Sequence, residues 1–143
     1  MSDIVVVQPE DDVKTVYGAG DAYRFLITGD QSNGQYFAMH ATVPPNAGPP
    51  PHIQTREEEA FYVLSGELVF RAGGKKVVGK AGTFLHVPRG VPHHFRNESD
   101  ADASLLIWFG PAGIEAMMER MAAEPDRYEA IGKEYGVEFV PEA

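Results

Sequence analysis

The sequence predicts an all-β domain, a sandwich or barrel, followed by a short C-terminal helical tail. Three observations carry this. From about residue 14 to 109 the chain reads as β-rich runs of four to eight residues separated by turn residues, the spacing of a barrel or sandwich and not of βαβ units. Fifteen Gly and 11 Pro punctuate the chain without gathering into a low-complexity tract. After Gly110-Pro111 the apolar spacing changes to that of a helix.

The predicted strands are Lys14 to Tyr17, Ala22 to Thr28, Tyr36 to Val43, Glu58 to Leu64, Glu67 to Ala72, Lys75 to Val78, Thr83 to Val87, His93 to Asn97 and Ala103 to Phe109. Ala72-Gly73-Gly74 supplies residues that tolerate positive φ between two of them, as a tight hairpin demands. Beyond the strands, Ile114, Met117, Met118 and Met121 recur at i, i+3, i+4 and i+7, which places them on one helix face and reads as packing against the barrel. A second helix is expected from Asp126 to Tyr135, with Asp126 as N-cap, Tyr128, Ile131 and Tyr135 on one face, and Gly136 just past its end. Residues 1–143 read as one domain, with a barrel core at about 14–110 and helices at about 111–136.

Charge and composition narrow the function. With 12 Lys and Arg against 21 Asp and Glu, the formal charge of −9 repels phosphate backbones and anionic lipid, so nucleic acid and membrane are not expected partners. The N-terminal MSDIVVVQPEDD lacks a basic region, and its apolar run is too short for a signal or a span, so a soluble, cytoplasmic protein is expected. Cysteine is absent, which leaves His, carboxylate or amide side chains as the available metal ligands.

Such residues converge on two stretches, Gly48 to Gly66 and Gly82 to Asn97. His52 and Gln54 are two apart, so on an extended strand they leave the same face. By the same parity Glu59, Phe61 and Val63 share one face of the next strand, and Tyr62 and Leu64 the other. Pro88-Arg89-Gly90 reads as a turn that delivers His93 and Phe95 to one face and His94 to the other. Two histidines and a glutamate can thus meet inside a barrel. Glu57 and Glu58 read as surface charge, and His40 and His86 as barrel histidines outside this group, with His40 placed to line a pocket.

These two stretches resemble the paired motifs of the cupin superfamily, Gly-x5-His-x-His-x3–4-Glu-x6-Gly and Gly-x5-Pro-x-Gly-x2-His-x3-Asn. The second is complete as Gly82, Pro88, Gly90, His93 and Asn97, five fixed positions that recur by chance on the order of 10⁻⁷ per starting point. The first is met by His52, Glu59 and Gly66, but Gln54 stands at its second His position and Gly48 lies closer to His52 than the pattern asks. Fifteen residues, 67 to 81, separate the motifs, as in small single-domain cupins. Pro49-Pro50-Pro51-His52, the run EEEAFYVLSGE from Glu57 to Glu67 and the tail after Pro111-Ala112-Gly113 are similar to small quercetinase-like cupins.

The resemblance implies a double-stranded β-helix, the cupin jelly-roll barrel, holding a divalent transition metal such as Fe, Mn, Ni or Zn. It implies His52, Glu59 and His93 as ligands, with Gln54 either a fourth, weaker oxygen ligand or a hydrogen-bond partner of bound water or substrate. In a quercetinase-like enzyme Glu59 would also be the catalytic base toward a flavonol or other enolisable substrate. His40, Phe61, Phe95 and Trp108 are candidates for the substrate pocket, with Trp108 alternatively filling the core. Other expectations of the same fold are a non-catalytic small-molecule or metal-binding protein and an isomerase or lyase. A pocket lined with aromatics would favour the dioxygenase, and one lined with Lys and Arg an anionic sugar. The resemblance also implies a homodimer, with Ile4 to Tyr17 available to augment a sheet edge.

Overall fold

In the computed structural model, which describes residues 3–143, the strands form two antiparallel sheets. One has the order β1 (Thr15–Gly18), β2 (Asp21–Ile27), β3 (Phe37–Val43), β10 (Ala103–Gly110), β5 (Glu58–Ser65) and β8 (Phe84–Val87). The other has the order β11 (Val137–Phe139), β4 (His52–Gln54), β9 (His93–Arg96), β6 (Glu67–Ala72) and β7 (Lys75–Lys80). From β4 to β10 the chain passes back and forth between the two sheets. The result is a double-stranded β-helix, as expected.

Side-chain alternation explains why the sheets face each other. Along β2 and β3 every second residue is buried, so Tyr23, Phe25, Phe37, Met39 and Ala41 all point inward. They meet Leu105, Ile107 and Phe109 of β10 in one core. Phe61, Phe70 and Phe95 pack as a three-ring group with centroids 5.3 to 6.0 Å apart, which joins the two sheets through β5, β6 and β9. The hairpin between β6 and β7 turns at Gly73 (φ 57°) and Gly74 (φ 82°), the two successive positive φ angles of a type I′ turn. Most strand ends lie within one or two residues of their sequence-based positions.

The tail departs more from expectation. Helix α1 (Ile114–Ala123) forms as the spacing predicts, and Glu115 anchors its start by accepting the N–H of Gly113 at 2.6 Å and that of Gly29 at 2.7 Å. The second helix does not begin at Asp126. Pro125, which has no N–H to offer, opens a 3-10 turn over Pro125–Arg127, and the Asp126 side chain caps neither it nor α2 (Tyr128–Glu134). Gly136, at φ 76°, ends α2 as expected, and a Cβ there would meet Thr55 Oγ1 at 2.5 Å. The chain then returns to the barrel as β11, a strand outside the expected tail, pairing Phe139 with His52 and Val137 with Gln54. At the other end, β1 pairs with β2 of its own chain, while Ile4 is 90% exposed.

One acid is buried where the core wants apolar groups. Asp21 accepts the Tyr23 hydroxyl proton at 2.6 Å, its Oδ1 has no partner, and burial pushes its carboxyl up to about 7 despite that hydrogen bond. The folded chain therefore holds a proton on Asp21 between about pH 4 and 7 that the unfolded chain has released, so stability falls as pH rises through that window and is lowest above it. Asp21→Asn should remove part of this slope. In urea denaturation from pH 5 to 8, the stability of Asp21→Asn relative to wild type should rise with pH, and a difference independent of pH would contradict the assignment.

Candidate metal centre

His52 on β4 lies directly opposite His93 on β9, and the ring centroids are 4.4 Å apart. Glu59 reaches the pair from β5 of the other sheet, so the cluster spans the seam of the barrel. One ligating atom from each of His52, Glu59 and His93 lies within 4.8 Å of the others. Glu59 and His93 are buried, at 5% and 3% exposed, His52 is half-buried, and Gln54 joins them at 2%.

The ring nitrogens show what this cluster suits. His52 Nδ1–H donates to the Pro50 carbonyl at 2.9 Å, and His93 Nδ1–H donates to the Val91 carbonyl at 2.9 Å. In its neutral form each ring then carries a lone pair on Nε2. The Nε2 of His52 stands 3.0 Å from Gln54 Oε1, and the Nε2 of His93 stands 2.8 Å from Glu59 Oε1. Each contact places an acceptor against an acceptor unless a proton or a cation lies between. For bonds of about 2.1 Å, adjacent ligands of an octahedral ion lie roughly 3 Å apart, which is the separation found here. Two imidazoles, a carboxylate and an amide oxygen, with backbone carbonyls fixing both rings, fit a divalent transition metal and leave coordination positions for substrate.

The two rings differ in their affinity for protons. Burial and the neighbouring His93 lower the His52 pKa, which keeps that ring neutral and ready to ligate. Burial also acts to lower His93, but its hydrogen bond and ion pair with Glu59 outweigh burial and raise it above the usual value.

His52, Gln54 and Glu59 line a cavity of about 470 Å³. Among the described residues no Lys or Arg lines it, and its walls are mostly apolar. Of the four expected pocket residues only Phe95 lines it. Phe61 lies one layer deeper, packed on Phe70 and Phe95, with its ring 6.3 Å from that of His93. His40 and Trp108 lie on the outer face, because their neighbours Met39, Ile107 and Phe109 take the inward positions of β3 and β10. Trp108 therefore neither floors the cavity nor fills the core; its indole folds against Gly110 and lies 6.3 Å from Tyr36.

Residues missed by sequence reasoning complete the cavity. Met117, Met118 and Met121 form a wall of it as well as packing on the barrel, and Phe139 of β11 sits beside the His52 ring. The methionine stripe was the available signal; its use as a cavity wall depends on how the tail docks. Glu57, expected at the surface, is 3% exposed, and burial pushes its carboxyl up to about 7. Its neighbour Glu58 does lie on the outer face, where its carboxylate meets His86 Nε2 at 3.1 Å.

Residues 39–109 match the Cupin domain family. The chain is 29% identical to the quercetin 2,3-dioxygenase of Bacillus subtilis strain 168, over 64% of this chain and 30% of that protein, so it spans about a third of that relative. In fold it is similar to a predicted oxalate decarboxylase from Thermotoga maritima, with a TM-score of 0.68 at 23% identity over 76% of this chain and 99% of that one. It is also similar to a polyketide cyclase from Streptomyces resistomycificus, with a TM-score of 0.63 at 24% identity over 75% and 80% of the two chains.

The cluster generates a pH prediction. A proton on His93 competes directly with a metal, so Mn(II) affinity should weaken by about tenfold per pH unit below the His93 pKa and level off at higher pH. Calorimetry at pH 6 in buffers of different ionisation enthalpy should show roughly one proton released per metal bound. Affinity unchanged from pH 6 to 8 would show that His93 is not a ligand. The barrel, both motif stretches and the matched family agree, and the chain belongs to the cupin superfamily.

Proposed function

We propose that this protein is a metal-dependent cupin enzyme acting with dioxygen on a small, uncharged aromatic or enolisable compound, as a quercetinase-like enzyme would. The observation that carries the reading is the cavity: mostly apolar walls, no Lys or Arg among its described lining, and His52, Gln54 and Glu59 in that lining. A sugar phosphate or a small dicarboxylate carries more charge than one metal answers, and this lining adds no Lys or Arg to share it. A flat, neutral ring is instead desolvated at little cost against Met39, Phe95, Phe109 and the Met117–Met121 wall.

The residues divide the work by position. His52, Glu59 and His93, with Gln54, would hold the metal, which when bound supplies a Lewis acid for an enol or phenol oxygen. Glu59 Oε1 faces His93, and its second oxygen has no hydrogen bond among the described residues, so it can take the proton of a substrate hydroxyl. The hydrophobic walls exclude water from the deprotonated substrate and fix its plane. The likeness to the Bacillus subtilis quercetin 2,3-dioxygenase supports this class of chemistry.

The test is metal content by mass spectrometry on protein purified without chelator, with Glu59→Ala and His93→Ala alongside, followed by oxygen uptake with quercetin and with a β-diketone. Near-stoichiometric metal that both variants lose, and uptake that depends on it, is the expected result. Metal and ligand binding without uptake would replace the enzyme with a binding protein. No metal after reconstitution with Fe, Mn, Ni or Zn would overturn the reading.

A further inference from the structure

Asp21 and Tyr23 form a buried polar pair that the metal centre does not use. Both occupy inward positions of β2, Asp21 at 1% and Tyr23 at 7% exposed, and the Tyr23 hydroxyl donates to Asp21 Oδ2 at 2.6 Å. Asp21 Oδ1 has no partner, so the pair costs stability where two apolar side chains would not. A carboxyl held inside at such a cost, touching one tyrosine, calls for a use that packing does not supply.

The cavity supplies one, because Tyr23 is part of its lining. Apart from His52, Gln54 and Glu59, only three described lining residues carry a side-chain oxygen or nitrogen: Tyr17, Tyr23 and Tyr128. Tyr17 and Tyr128 are exposed, at 71% and 37%, and Tyr23 alone is buried with its hydroxyl held by a second side chain. Strand register sets it apart from the metal ligands. Tyr23 pairs with Ala41, Ala41 with Leu105 and Leu105 with Val63, so its row meets β5 two inward positions along from Glu59. Three strand-to-strand steps of about 4.8 Å separate β2 from β5, on the order of 10 Å across a curved sheet. That is the span of a molecule of two or more rings.

We propose that Tyr23 is a specificity-determining residue of the cavity: its hydroxyl oxygen accepts a hydrogen bond from a substrate hydroxyl remote from the oxygens offered to the metal. This rests on the reading of the cavity as the site of a neutral aromatic, and narrows it to a hydroxylated compound of more than one ring. Asp21 is the positioning residue. By taking the Tyr23 proton it fixes the rotation of the hydroxyl and leaves the oxygen's lone pairs as the group presented, which suits a donor on the ligand. An apolar ring without that donor would leave the oxygen unpaired.

The test is calorimetry under nitrogen, so that binding is read without turnover, on the full chain reconstituted with Mn(II). The two ligands are quercetin and the unsubstituted parent flavonol, which keeps the enolic oxygens and has no further hydroxyl. Tyr23→Phe should weaken quercetin binding about 5- to 10-fold and that of the parent flavonol less than about twofold, a split that a packing role would not produce. The double variant Tyr23→Phe with Asp21→Leu, which leaves no unpaired acid in the core, should show the same split. Asp21→Asn still offers an acceptor and should keep the wild-type preference for quercetin, while Asp21→Leu alone should reduce that preference about threefold. Circular dichroism confirms that each variant is folded. Equal losses for both compounds, no loss for either, or a wild-type chain that holds the parent flavonol as tightly as quercetin would overturn the role given to Tyr23 and leave the cavity reading standing. A wild-type chain that binds neither compound would overturn the cavity reading and this role together, a result distinct from the other three.

Discussion

Two imidazole Nε2 atoms, each aimed at a side-chain oxygen, define the constraint on which the rest of this barrel depends. His52 and His93 are each locked by an Nδ1–H bond to a carbonyl two residues earlier, so neither ring can rotate away from its oxygen without losing that bond. The backbone keeps these carbonyls in place through the proline-rich approach to β4 and the turn before β9. The register that sets His52 opposite His93 then does the rest. A one-residue slip of either strand would turn its histidine to the other face, which gives the register a direct chemical consequence.

The C-terminal tail belongs to the same arrangement. β11 extends the sheet beside β4, with Phe139 against His52 and Val137 opposite Gln54, so the strand that carries two of the cluster residues is an inner strand and not an edge. Gly136 turns tightly over Thr55 and Arg56, and the Thr55 hydroxyl and N–H both donate to its carbonyl. The tail thus clamps the connection between β4 and β5, the one that contains Glu57. Its methionines close the cavity with flexible, unbranched side chains that adapt to the shape of an apolar occupant.

Strand parity made most of the cluster legible before any coordinates. His52 with Gln54, Glu59 with Phe61 and His93 with Phe95 each share a face because the period of a strand is two, and burial follows that pairing. The same rule turns His40 and Trp108 outward, because Met39, Ile107 and Phe109 hold the inward positions of β3 and β10. Glu57 and Asp21 were illegible for a different reason. Glu57 sits in the turn before β5, where no periodicity applies, and an acidic residue in a charged run reads as solvated until the tertiary fold covers it; Asp21 heads β2 in the inward parity of Tyr23 and Phe25 but lies one residue before the strand predicted from Ala22. β11, at three residues, is too short to show alternation and exists only because β4 offers it a partner.

Asp21, Glu57 and Glu59 are all buried in a chain whose formal charge is already −9. Surface screening does not reach such groups, so their charge has to be balanced locally. The described lining of the cavity contains no Lys or Arg; Arg56 acts on Glu57 from outside that lining, and protons and a bound cation are the counter-charges at hand for Asp21 and Glu59. Protons serve at Asp21, whose carboxyl is neutral over much of the range below about 7. At Glu59 the partner is a histidine whose second proton a metal would displace. A dication held by this cluster would answer the charge of Glu59, and the apolar walls and the ligand cluster select for the same pairing of metal with uncharged substrate.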